Sequence, residues 1–190
     1  ITSLVPTLGL AQFRGGGGWP GPYVSRQTIA LDRRQATISL QLTNASATVM
    51  PAGLGLHPYF LTVPDARLTF AAKGAWLGEA GGIPERLGAP SELFDFSDSP
   101  LRASVPLIDH CYAGWRGAAS IEDGSRRIAI SATPNASWAH VYSPKGQGFW
   151  CFEPVTHRPD ALNAPEGERS GLAMLRPGET MAMRMTIAVG

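Results

Sequence analysis

The segment from Thr180 to Val189, TMAMRMTIAV, sets an apolar side chain at every second position: Met181, Met183, Met185, Ile187 and Val189. A side-chain period of two is the signature of an extended strand with one buried face. Ala36 to Asn44 repeats it, with Ile38, Leu40 and Leu42 on one face and Thr37, Ser39, Gln41 and Thr43 on the other. Tyr23 to Leu31, Arg67 to Ala72, Arg127 to Ser131, His140 to Tyr142 and Phe149 to Phe152 read as further strands, and no stretch keeps a helical period for three turns. The pattern predicts an all-β chain built of packed antiparallel sheets. The 22 glycines and 16 prolines suit short strands joined by turns. Glu122-Asp123-Gly124-Ser125 is expected to be a hairpin turn, and Arg176-Pro177-Gly178-Glu179 to deliver the last strand. Gly78 to Pro106 reads as a long loop over one sheet face. With 190 residues, the expectation is a single domain spanning 1–190.

Sixteen basic residues against fifteen acidic ones leave a formal charge of +1, and only Lys73 and Lys145 are lysines. Without a cationic cluster, nucleic acid is not an expected partner. No apolar run is long enough to span a bilayer, so no membrane association is expected. The two cysteines, Cys111 and Cys151, imply no disulfide framework, which makes a reduced cytoplasmic setting the default and leaves a single bridge between them open.

Three polar clusters sit in aromatic or apolar company. His57 lies in Gly53-Leu54-Gly55-Leu56-His57-Pro58-Tyr59-Phe60, Asp109 and His110 precede Tyr112 and Trp115, and Glu153 ends the run Phe149-Trp150-Cys151-Phe152. Taken alone, Asp109 reads equally as a turn cap, His110 as a partly buried ring, and Glu153 as the point where a strand meets solvent. Together they suggest proton transfer. Desolvation raises a carboxylate's proton affinity toward neutrality, and an imidazole, with an ordinary pKa of about 6.5, can donate at the same pH. Tyr59, Phe60, Tyr112, Trp115 and Trp150 offer flat surfaces for a sugar ring. The four histidines, at 57, 110, 140 and 157, are too scattered for a spacing-defined metal site, so no metal is expected. Asp109 with Glu153 is a conceivable glycosidase pair, but that leaves His57 without a role.

At these residues the chain resembles the aldose 1-epimerase (galactose mutarotase) family, particularly its bacterial branch. The matching text is Asn44, then Met50 to Phe60, Asp109-His110 with Gly114-Trp115, and Glu153-Pro154-Val155-Thr156-His157. It continues with Pro159-Asp160-Ala161, Asn163, Gly171-Leu172 and Leu175 to Glu179. The resemblance implies a large antiparallel β-sandwich with a sugar cleft, and interconversion of α and β anomers of a small-molecule hexose without cofactor or metal. It implies Glu153 as the base on the anomeric hydroxyl, His57 as the acid on the ring oxygen, and Asp109 as a partner of sugar hydroxyls. Tyr59, Trp115 and His110 are the further substrate-binding candidates.

The family also holds its sugar with an arginine and a second histidine near the N-terminus, and neither has a counterpart here. Four consecutive glycines, Gly15 to Gly18, stand before Trp19, and the segment carrying those two residues is expected to be missing near 15–19. A catalytically silent sugar-binding relative is therefore the alternative to an epimerase. A hexose-phosphate epimerase needs cations converging on a phosphate, for which Arg116, Arg126, Arg127 and Arg158 qualify only in number.

Overall fold

A computed structural model of the chain describes residues 7–15, 19, 21–61, 63, 66–80, 82–97, 107–124, 126–165 and 170–190. Fifteen strands account for most of it. They are β1 (Thr7–Gly15), β2 (Tyr23–Leu31), β3 (Gln35–Asn44), β4 (Met50–Ala52), β5 (Tyr59–Leu61), β6 (Arg67–Phe70), β7 (Gly74–Leu77) and β8 (Arg86–Gly88). They continue with β9 (Ile108–Ala113), β10 (Ala118–Asp123), β11 (Arg126–Ala132), β12 (Trp138–Ser143), β13 (Phe149–Val155), β14 (Ala173–Leu175) and β15 (Thr180–Val189). One sheet has seven strands in the order β1-β2-β3-β15-β11-β10-β6, the other six in the order β5-β13-β12-β9-β7-β8, and β14 pairs with β4. The named strand pairings are antiparallel. The all-β expectation holds. Among the described residues, no helix is long and apolar enough to cross a membrane.

The alternating residues decide how the sheets meet. Leu42, Leu68, Phe70, Ile121, Ile130, Met183 and Met185 face inward from the seven-stranded sheet, while Leu77, Ile108, Tyr112, Val141, Trp150 and Phe152 do so from the other, and all join one core. Phe70 on β6 packs at 4.9 Å against Phe152 on β13 and edge-on at 5.3 Å against Tyr112 on β9, so aromatic contacts tie the two layers together.

The reading of Gly78 to Pro106 as loop needs correction in its first part. β8 lies within it, and Phe96, 1% exposed, inserts against Phe70 and Tyr112. Residues 98–106 of that segment, glycines 16–18 and Ser125 lie outside the described residues. The hairpin before β11 is seen in its register, with Asp123 opposite Arg126. Cys111 and Cys151 are both free and buried. They belong to β9 and β13 with β12 between them, roughly 10 Å apart on strand spacing alone, so no disulfide joins them.

Candidate active site

The candidate site is built on the face of the six-stranded sheet that points away from the core. Alternation along β13 sends Trp150 and Phe152 inward, so Cys151, Glu153 and Val155 take the opposite face. Register aligns the neighbours: His140 on β12 stands opposite both Glu153 and Cys111, and Tyr142 opposite both Cys151 and Asp109. Residues facing one another across a ladder bring their side chains within about 5 Å. Six residues from three strands thus share one patch.

His57 reaches that patch by the same rule. Gly55 bridges Val155, and Tyr59 pairs with Cys151. The residue midway, His57, therefore stands at the register position of Glu153. Leu56 N–H donates to the Pro154 carbonyl at 3.1 Å and Leu54 N–H to Thr156 Oγ1 at 2.8 Å, pinning the approach. The glycines make it passable. A Cβ at Gly53 would run into the His157 ring, and one at Gly55 would come within 3.0 Å of Val155 Cγ1. This accounts for the spacing in GLGLHPYF: bare backbone next to β13, then a histidine delivered over its carboxylate.

His57 Nε2 lies 3.0 Å from Glu153 Oε1. The Glu153 side chain is 12% exposed and that of His57 50%. The imidazole stacks on Tyr59, with centroids 4.9 Å apart and planes at 19°, and Tyr59 in turn leans on Phe149. A hydrogen bond of 2.6 Å joins His140 Nε2 and Asp109 Oδ1, crossing the ladder diagonally. Burial first, and the negative Asp109 second, push the Glu153 carboxyl up to about 7. A carboxyl poised there exchanges protons at neutral pH.

These groups line a cavity of about 440 Å³ together with Tyr142, His157 and Arg158, within the size range of small-molecule sites. Burial lowers the proton affinity of His157. The Arg158 guanidinium sits 4.7 Å from the centre of the Trp76 ring, and its Nη1 donates to the Pro159 carbonyl at 2.8 Å. A smaller cavity of about 180 Å³, lined by Trp76 and His110 among others, shares Asp109, Cys111, His140 and Pro159 with the first.

The six candidate residues fare differently. His57, Glu153 and Asp109 come together, and Tyr59, exposed, flanks them through His57. His110 lines the smaller cavity instead, where burial lowers its proton affinity. Trp115 is a correction: it is 3% exposed, packs edge-on against Phe152 and donates Nε1–H to the Ala118 carbonyl at 2.7 Å, so it fills the core. Phe60, stacked on Trp150, and Tyr112 likewise face the core. Asn163 holds the Asp160 side chain at a left-handed turn and does not reach the cavity lining. Nor do the four arginines converge, since Arg126 and Arg127 are exposed on β11 in the other sheet and Arg116 is exposed, leaving only Arg158 at the cavity. Sequence reasoning missed His140 and Tyr142, and named Arg158 only as one of four arginines that qualified in number. The period of two in β12 was the available signal, because it places His140 and Tyr142 on one face between the strands of Asp109 and Glu153.

A family model described as aldose 1-epimerase matches residues 7–188. The Escherichia coli K12 protein YphB is 34% identical over 180 residues, which cover 88% of this chain and 60% of YphB. A crystal structure of a candidate aldose 1-epimerase from Escherichia coli K12 superposes with a TM-score of 0.81 at 31% identity, covering 95% of this chain and 64% of the other. A galactose mutarotase-like protein from Clostridium acetobutylicum gives a TM-score of 0.80 at 16% identity, with 95% and 61% covered, and shares the fold. The chain thus spans less than two thirds of the length of each of these relatives.

Proposed function

The chain belongs to the aldose 1-epimerase family, and from that premise we propose that it interconverts the α and β anomers of a free hexose by acid–base ring opening and closure. The 3.0 Å approach of His57 Nε2 to Glu153 Oε1 on the cavity wall carries this reading. Glu153 takes the proton of the anomeric hydroxyl while His57 gives one to the ring oxygen. The bond between C1 and the ring oxygen breaks, leaving an aldehyde. Rotation about C1–C2 presents the other carbonyl face, His57 takes its proton back from the sugar hydroxyl, and Glu153 reprotonates the new anomeric oxygen. Both groups end as they began.

The surroundings support those roles. Glu153 is desolvated enough to hold a proton near neutrality, and His57 is half-exposed, able to yield to an entering sugar. Asp109, oriented by His140, accepts hydrogen bonds from sugar hydroxyls, and Tyr59 and Tyr142 give flat walls. Freshly dissolved α-glucose and α-galactose followed by polarimetry test the reading: equilibration accelerates with the protein, and His57→Asn lowers the enzymatic rate by roughly 10²–10⁴-fold. Undiminished activity in His57→Asn overturns the assignment. The second reading, sugar binding without exchange, is motivated by the lack of counterparts in this sequence for the family's sugar-holding arginine and second histidine. Saturable binding of either sugar with no acceleration of mutarotation selects it.

A further inference from the structure

Proton transfer leaves Cys151 with nothing to do, although it lies beside the reacting pair. We infer that His57, Cys151 and Glu153 form a site for a thiophilic divalent cation, and that Zn²⁺ bound there shuts the reaction off. Cys151 and Glu153 share one face of β13 two residues apart, with His57 in register over Glu153. One ligand atom from each residue, an imidazole nitrogen, the thiol sulfur and a carboxylate oxygen, lies within 4.8 Å of the other two. Zinc bonds of about 2.0–2.1 Å to nitrogen and oxygen and about 2.3 Å to sulfur set tetrahedral ligands roughly 3.3–3.6 Å apart. His57 Nε2 and Glu153 Oε1 already lie 3.0 Å apart, so the closure that completes the set, up to roughly 1 Å, is toward the Cys151 sulfur.

Donor chemistry selects the ion. Nitrogen, sulfur and one carboxylate suit Zn²⁺ or Co²⁺, whereas Mg²⁺ and Ca²⁺ demand shells of oxygen. Three protein ligands leave the fourth position to water or a sugar oxygen. On binding, the Cys151 thiol gives its proton to solvent and no electron changes hands. The ion then occupies the lone pairs of His57 and Glu153 that proton transfer needs. Inhibition rests on the epimerase reading of that pair; cation binding does not.

The test uses the full chain with Co²⁺ and Zn²⁺. Co²⁺ is expected to give a thiolate-to-metal charge-transfer band that survives in Cys111→Ala and is lost in Cys151→Ala. Zn²⁺, measured against a chromophoric chelator, is expected to bind more weakly by more than about tenfold in Cys151→Ala and in His57→Asn. Zn²⁺ should abolish mutarotation in the native chain, a chelator should restore it, and Cys151→Ala should stay active and resist inhibition. A native chain without the band overturns the site, whether or not it turns over sugar, and so does a band retained in Cys151→Ala. The band together with an enzyme that Zn²⁺ leaves active overturns the inhibition. A band in a chain that turns over no sugar even before metal is added upholds the site and counts against the epimerase reading alone.

Discussion

At the scale of single residues, the proposed chemistry turns on one carboxyl held where it can both accept and return a proton. Burial, reinforced by the charge of Asp109, sets Glu153 at about 7 against an ordinary 4.5. Only the ionised form acts as a base, so kcat/KM should fall on the acid side of about pH 7, approaching tenfold per pH unit. Asp109→Asn removes the repelling charge, favours ionisation, and should move that acid limb to lower pH while burial keeps it above the range of an exposed glutamate. Rates across pH 5–9 for both forms check this; a limb that stays in place in the variant shows that Asp109 does not set it. His57, Glu153 and Asp109 were legible because the family motifs mark them. His140 was not, since nothing in its own neighbourhood distinguishes it from an ordinary strand histidine until β9 and β13 are placed on either side.

At the scale of elements, register does the assembling. β5 and the GLGLHP approach run along β13, and β12 separates the strands of Asp109 and Glu153 while lending His140 to bind the former. β15 was readable to its ends because its ten residues display several cycles of alternation. β4, β5, β8 and β14 have three residues each, too few to show a period, and their pairing is a tertiary fact. β13 was read as ending at Phe152, with Pro154 ahead, yet it runs on to Val155: Pro154 lacks an N–H, but its carbonyl accepts from Leu56. The motif residue Asn44 works at this level too. Fully buried, its amide donates to the Thr48 and Leu175 carbonyls and its side-chain oxygen accepts from Ser46, clamping the turn after β3 to β14. Asn44→Ala strands those buried groups and should cost about 1–3 kcal/mol in urea unfolding. An unchanged midpoint and slope contradict that role.

At the scale of the molecule, two sheets enclose one core and leave the outer face of the smaller sheet to carry the candidate site. The fold class was legible because alternation recurs along the whole chain, whereas the fate of individual aromatics was not. Tyr112 and Trp150 look as suitable for stacking on a sugar as Tyr59 does, and only the face each strand turns inward separates them; Trp115, between β9 and β10, is buried by the turn that carries it. Phe96 illustrates the same division, since the segment around it read as loop and yet its ring packs in the core against both Phe70 and Tyr112. Phe96→Ala should lower stability by about 3–5 kcal/mol while leaving KM for the sugar near its native value at temperatures where the variant is folded. A large rise in KM with little loss of stability would place Phe96 in the site instead.

The central claim is that Glu153 is the base of a mutarotation, and exchange between anomers observed by NMR with Glu153→Gln tests it most directly. The glutamine keeps the shape of the side chain and removes its ability to take a proton at neutral pH. With a sugar the native chain equilibrates, the exchange rate in the variant should fall by roughly 10²–10⁴-fold while sugar binding persists. Exchange at the native rate in Glu153→Gln would contradict the account.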